Sequence, residues 1–292
     1  MRHNSEKRGD KYPRAPSQAE WDALTPEEQA RVVAALPNVV TDAELSPPEG
    51  DQHFLPKVRA LDTLKGHFGR EGRRVYLASE LPVYYPDERR FAPDLLVVLD
   101  AEPHERGKWM VSAEGKGLDF VLEVHVGGRR KKDAEKNVAR YSRLRIPEYF
   151  IYDGGKQRLW GYRLAAPGAR EYVPIQSVDG RFPSERLGLE LQVEGDRLRF
   201  YENNVQLPES AELIDQLRKL ADGLKRRATS RARSLKKEAR LREVTEQRLA
   251  QEQRLREEER RLREEEQRLR EDVQQQLKKA QAELARLKSQ RA

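Results

Sequence analysis

The sequence contains no cysteine, which excludes a disulfide, a thiol nucleophile and any Cys-ligated zinc or iron–sulfur cluster. Any metal must be held by oxygen or imidazole. No apolar run approaches the roughly 18 residues of a membrane span, and residues 1–50 lack a basic head followed by an apolar stretch. The expectation is a soluble, cytoplasmic protein with no membrane partner. Beyond Pro208 there is no further proline, and Gly223 is the only later glycine. The residues that break helices are therefore almost missing from the last part of the chain.

What is present is charge. The 292 residues include 57 Lys+Arg and 50 Asp+Glu, a net +7, and 37% of the chain is charged. An average so rich in salt points to two different materials joined end to end. Residues 1–16 are polar and aperiodic and read as a disordered lead-in. Within residues 17–39, Ser17–Glu20 and Thr25–Glu28 have capping-box spacing and predict two short helices, the second with Pro26 at its first position. Pro47–Gly50 marks a turn.

Residues 40–207 suffice for one α/β domain. Phe54, Val58, Leu61, Leu64 and Phe68 recur at helical spacing and predict a helix with one buried apolar face. Runs rich in β-branched or aromatic residues predict strands at 74–79, 94–99, 118–126 and 149–152. A helix at 131–145 separates the last two. Shorter runs at 158–163, 170–175 and 197–201 extend or edge the sheet. From 208 to 292 the chain reads as a long charged helix or coiled coil. Arg254–Arg260 and Arg261–Gln267 repeat a seven-residue unit, and Glu257–Arg261, Glu264–Arg268 and Glu266–Arg270 are i,i+4 pairs in the favourable order. One leucine per heptad gives way to an a/d seam through Val273, Leu277, Ala280, Leu284 and Leu287. Self-association, or docking on another helix, is the expected use of 208–292.

Asp94 stands at the mouth of the apolar strand Leu95–Leu99, and Glu123 lies inside Asp119–His125. An acid within an apolar strand is costly unless something compensates it. If the strands are neighbours, the two carboxylates can converge on one Mg²⁺ or Mn²⁺, an ion that polarises phosphate and helps deprotonate water. Strand alternation points Glu123 and His125 the same way. Lys136, on the following helix, is near enough in sequence to steady a water or a phosphate. Arg129, Arg130, Lys131 and Lys132 offer positive potential for a phosphate backbone. A strand-starting Asp94, a structural ion pair of Glu123 with Arg129 or Lys136, and a merely solvated basic run are the bland alternatives.

Pro93–Val98, Phe120–Val124, Lys136 with Tyr141, and Ile146–Asp153 together resemble the Uma-two family of the PD-(D/E)XK nuclease superfamily. The segment Thr41–Leu45 with Pro48 and His53 is similar to the family's approach to its first helix. The resemblance implies a restriction-endonuclease-like mixed sheet flanked by helices, Asp94 and Glu123 as metal ligands, and Lys136 as a lysine displaced from strand to helix. His125 stands where the ordinary pattern has lysine, and Val39 where the family has an acid. Two functions follow as expectations: a Mg-dependent endonuclease cutting DNA, or an inactive nuclease-like adaptor that binds nucleic acid or protein through its basic surface and coiled coil.

Overall fold

The computed structural model describes residues 13–39, 50–126, 131–166 and 168–289, without the side chains of 131–134 and 284–289. The expected segments Thr41–Leu45 and Pro47–Glu49 lie outside the described residues. The chain divides into two units, Met1–Asp215 and Gln216–Ala292.

The first unit opens with α1 (Gln18–Asp22) and α2 (Pro26–Ala35), each started by the capping box read from the sequence. The lead-in ends earlier than residue 16. Arg14 and Ala15 form bridges to Arg89 and Pro86, and Ala15 is buried with Trp21, Tyr84 and Met110. A small methyl in an apolar seat holds the chain there despite its polar neighbours.

Next come α3 (Asp51–Arg70), β1 (Val75–Ala78), β2 (Val83–Tyr84), β3 (Leu95–Leu99), β4 (Trp109–Met110), α4 (Val111–Glu114), β5 (Phe120–His125), α5 (Lys131–Arg143) and β6 (Glu148–Asp153). The remaining strands are β7 (Arg158–Leu164), β8 (Tyr172–Pro174), β9 (Phe182–Ser184), β10 (Leu189–Glu194), β11 (Arg197–Glu202) and β12 (Val205–Gln206). The main sheet has six strands in the order β1-β3-β5-β6-β7-β8. Its one parallel pair, β5 with β6, is the pair joined through α5, as a crossover connection requires. Strand 197–201 of the sequence reading does not edge this sheet. It is β11 of a separate sheet, β12-β11-β10-β9.

Every residue of β3, β5 and β6 is buried, because both faces of the main sheet are covered. On one face Leu95, Val97, Phe120, Leu122, Val124 and Phe150 pack with Ala60, Leu64 and Phe68 of α3 and with Leu191 and Phe200 of the smaller sheet. On the other, Leu96, Val98, Val121, Tyr149 and Ile151 pack with Tyr141 of α5 and with Trp109. The two sheets are also tied by a buried acid. Glu148 accepts from the Ser184 hydroxyl and from the amides of Glu185 (2.8 Å) and Arg186 (3.3 Å), while the Arg186 side chain reaches Asp119.

Only the later part of the apolar face that the spacing predicts on α3 is buried: Leu64 and Phe68 are in the core and Leu61 packs against it. Phe54 and Val58 are 58% and 42% exposed, whereas His53 and Lys57 are each only 4% exposed. The stripe that packs runs through His53, Lys57, Ala60, Leu64 and His67, about 100° round the helix in its first turns. Polar partners, described below, take up its first two turns.

The last helix, α6 (Ser210–Ser289), has 80 residues, roughly 120 Å at 1.5 Å per residue. Among the pairs expected there, Glu266–Arg270 forms at 2.7 Å, but Glu264 pairs with Arg260 at 3.1 Å. Glu238–Arg242, Glu252–Arg256 and Glu259–Arg263 add three more i,i+4 bridges. No described helix is long and apolar enough to cross a membrane.

The offset on α3 is open to measurement. Leu122→Ala, fully buried, should cost about 2–5 kcal/mol, whereas Phe54→Ala should stay within about 0.5 kcal/mol. Urea midpoints of the two variants check this. A large loss from Phe54→Ala would restore the apolar face.

Candidate active site

The register of β3 against β5 builds the site. Leu95 pairs with Leu122, Leu96 with Val121 and Val97 with Phe120, so one step further puts Asp94 opposite Glu123. Opposed residues of an antiparallel pair share a face, with Cβ atoms about 4.5–5.5 Å apart. Both acids therefore fall on the Leu96–Val121 side of the sheet. They are 4% and 8% exposed.

Three further elements converge there. The Val124 amide donates to Asp94 Oδ2 at 2.7 Å. From α3, His53 Nε2 lies 3.2 Å from both Asp94 carboxylate oxygens, and Lys57 Nζ stands 3.5 Å from Oδ1. Lys57 also donates to Glu80 Oε1 at 2.5 Å. Glu80 follows β1 with φ 55°, its amide bonded to the Pro93 carbonyl at 2.9 Å. Its side chain is 45% exposed, which makes it the solvent-facing member of the group. From α5, the Tyr141 hydroxyl donates to Glu123 Oε1 at 2.7 Å.

This environment drives the two acids apart. Burial alone would raise Asp94, but the hydrogen bond and charge of His53, the Val124 amide and Lys57 hold it below the ordinary aspartate range. Burial first, and then the charge of Asp94, push Glu123 well above the ordinary glutamate value. The donor set is the two carboxylates at the centre of the site. It is oxygen-rich and fits a hard divalent ion such as Mg²⁺ or Mn²⁺.

His125 is buried at the end of β5, two residues beyond Glu123, and its carbonyl accepts from the Gly154 amide. Lys136 is exposed on α5, about 140° round the helix from Tyr141. Arg129 and Arg130 lie outside the described residues, as do the side chains of Lys131 and Lys132. The sequence reading missed Lys57 and Glu80 and gave His53 and Tyr141 no chemical role. The signal for the first was a His–Lys step of four residues, in phase with Ala60, Leu64 and His67. At the other end of α3, His67 and Glu71 join Glu202 in a second group able to coordinate a divalent metal.

A raised acid favours the folded state while protonated. In EDTA, the contribution of Glu123 to stability is full below the unfolded value near 4.5 and is lost as pH climbs through the raised folded value. Glu123→Gln removes that loss. The variant should gain on wild type as pH rises from about 5 to 8, seen as a widening difference in Tm. Parallel melting curves across that range would count against the upward shift of Glu123.

Comparison with known proteins bears on this arrangement. No curated protein matches the chain. A solved structure described as a “putative nuclease belonging to DUF820”, from Anabaena variabilis ATCC 29413, is similar at 14% identity and a TM-score of 0.40, covering 51% of this chain and 81% of that one. The family profile described as “Uma2: Putative restriction endonuclease” matches residues 41–197, a span that holds every residue of the acidic pair's surroundings. With more than half of its length matched, the chain belongs to the Uma2 family.

Proposed function

We propose that the protein is a metal-dependent phosphodiesterase that cleaves DNA. The observation that carries this reading is the buried, directly opposed pair Asp94 and Glu123, two acids held side by side away from water where a divalent cation would offset their charge. Asp94 and Glu123 are the proposed ligands. A bound Mg²⁺ or Mn²⁺ would supply polarisation of the phosphate and a more acidic water. Lys57, already 3.5 Å from Asp94, is placed to orient that water and to stabilise charge on the phosphate. It is therefore the proposed catalytic cation, ahead of Lys136. His53 and Tyr141 hold the two carboxylates in position. His125 backs the same end of β5. Arg129, Arg130, Lys131 and Lys132 are the proposed contacts to the DNA backbone.

The second reading, an inactive adaptor, draws on His125 in the position where the ordinary nuclease pattern has lysine. Plasmid cleavage with Mn²⁺ separates the two. Asp94→Asn and Glu123→Gln should each lower the rate about a hundredfold or more, the effect of losing roughly 3 kcal/mol of transition-state stabilisation. Lys57→Met should do the same, while Lys136→Met leaves most activity. Equal cleavage by wild type and the acid variants would reveal a contaminant. DNA binding without cleavage by a folded wild type would favour the adaptor.

In this reading α6 joins two copies, so that two sites can act on two strands. Leu255, Leu262, Leu269, Val273 and Leu277 are 57–62% exposed along it, and no described contact covers them. Light scattering should show an oligomer for the full chain and a monomer once residues 216–292 are removed. Monomers in both would leave α6 as an isolated helix held by its ion pairs.

A further inference from the structure

We propose that His67, Glu71 and Glu202 form a second metal site, for a divalent first-row transition ion, that clamps the end of α3 to the end of β11. The site is separate from the acidic pair. His53 and His67 are fourteen positions apart on one helix, or roughly 21 Å at 1.5 Å per residue.

Local structure brings the three groups together. His67 and Glu71 are one helical turn apart at the C-terminal end of α3, so their side chains stack on one side. Glu202 is the last residue of β11, and the hairpin that follows turns on Asn203 and Asn204, both with positive φ (47° and 68°). One ligand atom from each residue lies within 4.8 Å of the other two, and His67 Nε2 is 3.5 Å from Glu71 Oε2. Ligands about 2.1 Å from a tetrahedral ion are separated by about 3.4 Å. Small side-chain rotations therefore close the set.

An independent observation concerns what these groups lack. His67 is only 4% exposed, and buried polar groups are ordinarily hydrogen-bonded. Its imidazole makes no hydrogen bond among the described residues. Its polar neighbour, the Glu71 carboxylate, stands at the outer limit of such a bond. The Glu202 carboxylate likewise has no hydrogen bond or ion pair among the described residues. Glu71 is shared with Arg73 Nη1 at 3.7 Å, a long and partly exposed contact that a dication can displace. One imidazole with two carboxylates suits Zn²⁺ and its neighbours better than Mg²⁺ or Ca²⁺, which prefer oxygen alone. Three protein ligands leave a position open to water on the exposed side of Glu71.

Titration of Zn²⁺ into the metal-stripped full-length protein tests the site by calorimetry and thermal unfolding. The expected result is a saturable Zn²⁺ site that survives Glu123→Gln and is lost in His67→Gln and in Glu202→Gln. At a hundredfold excess over Kd, Zn²⁺ should raise the wild-type Tm by roughly 5 °C or more, and Mg²⁺ at the same concentration should not reproduce that rise in Glu123→Gln. If His67→Gln fails to fold, Glu202→Gln decides, since its side chain sits at a partly exposed strand end. Absence of Zn²⁺ binding by wild type, or equal binding by wild type and folded Glu202→Gln, overturns the proposal. The outcome is independent of whether the acidic pair cleaves DNA.

Discussion

Two carboxyl groups that face each other across neighbouring strands, both sealed from water, repel unless something positive lies between them. That constraint organises much of the first unit. The register of β3 on β5 sets Asp94 against Glu123, and the apolar covering on both sides of the sheet keeps water from screening them. The response is visible in the neighbours: an imidazole and an ammonium from α3, a phenol from α5, an amide from β5 itself. Each would be an odd choice for a core if the acids were absent. Lys57 in particular is a long cation buried in a helix face that could have been leucine.

The body and α6 are stabilised by different physics. The body buries β3, β5 and β6 completely between helices and a second sheet, and the interior acids Asp94, Glu123 and Glu148 accept hydrogen bonds. In α6 the described side chains beyond residue 215 are exposed, and surface bridges, each worth a few tenths of a kcal/mol, recur at i,i+4. Composition separates the two because proline and glycine disappear where the chain stops turning.

Much of this was legible in the letters. The central strands, α5 and α6 follow from periodicity, and Asp94 and Glu123 stood out as acids in apolar surroundings. Strand alternation sets Glu123 and His125 on one side, in keeping with the unbroken register of β5 on β6. The remainder failed for a specific reason. Periodicity arguments assume that the apolar stripe is the buried one, so Phe54 and Val58 were set inward. The true stripe begins with His53 and Lys57, whose burial depends on acids that lie 41 and 37 positions away in sequence. The two-residue strands β2 and β4 and the split into two sheets carry no local pattern strong enough to read. Glu148 gives no sign in sequence that its partner is the Glu185 amide, 37 positions on.

The ladder between β3 and β5 has one more implication. What brings Asp94 and Glu123 face to face is the backbone ladder of β3 on β5 that ends beside them, not the twenty-eight residues that separate them along the chain. The outer part of that connection, around Glu102–Glu105, is exposed and irregular. Relatives could lengthen or shorten it freely without moving either acid. A single residue gained or lost inside either strand, by contrast, would send one carboxyl to the opposite surface. Spacing between the two acids is thus a poor criterion for recognising this arrangement in another chain, and the tripeptides around each are a better one.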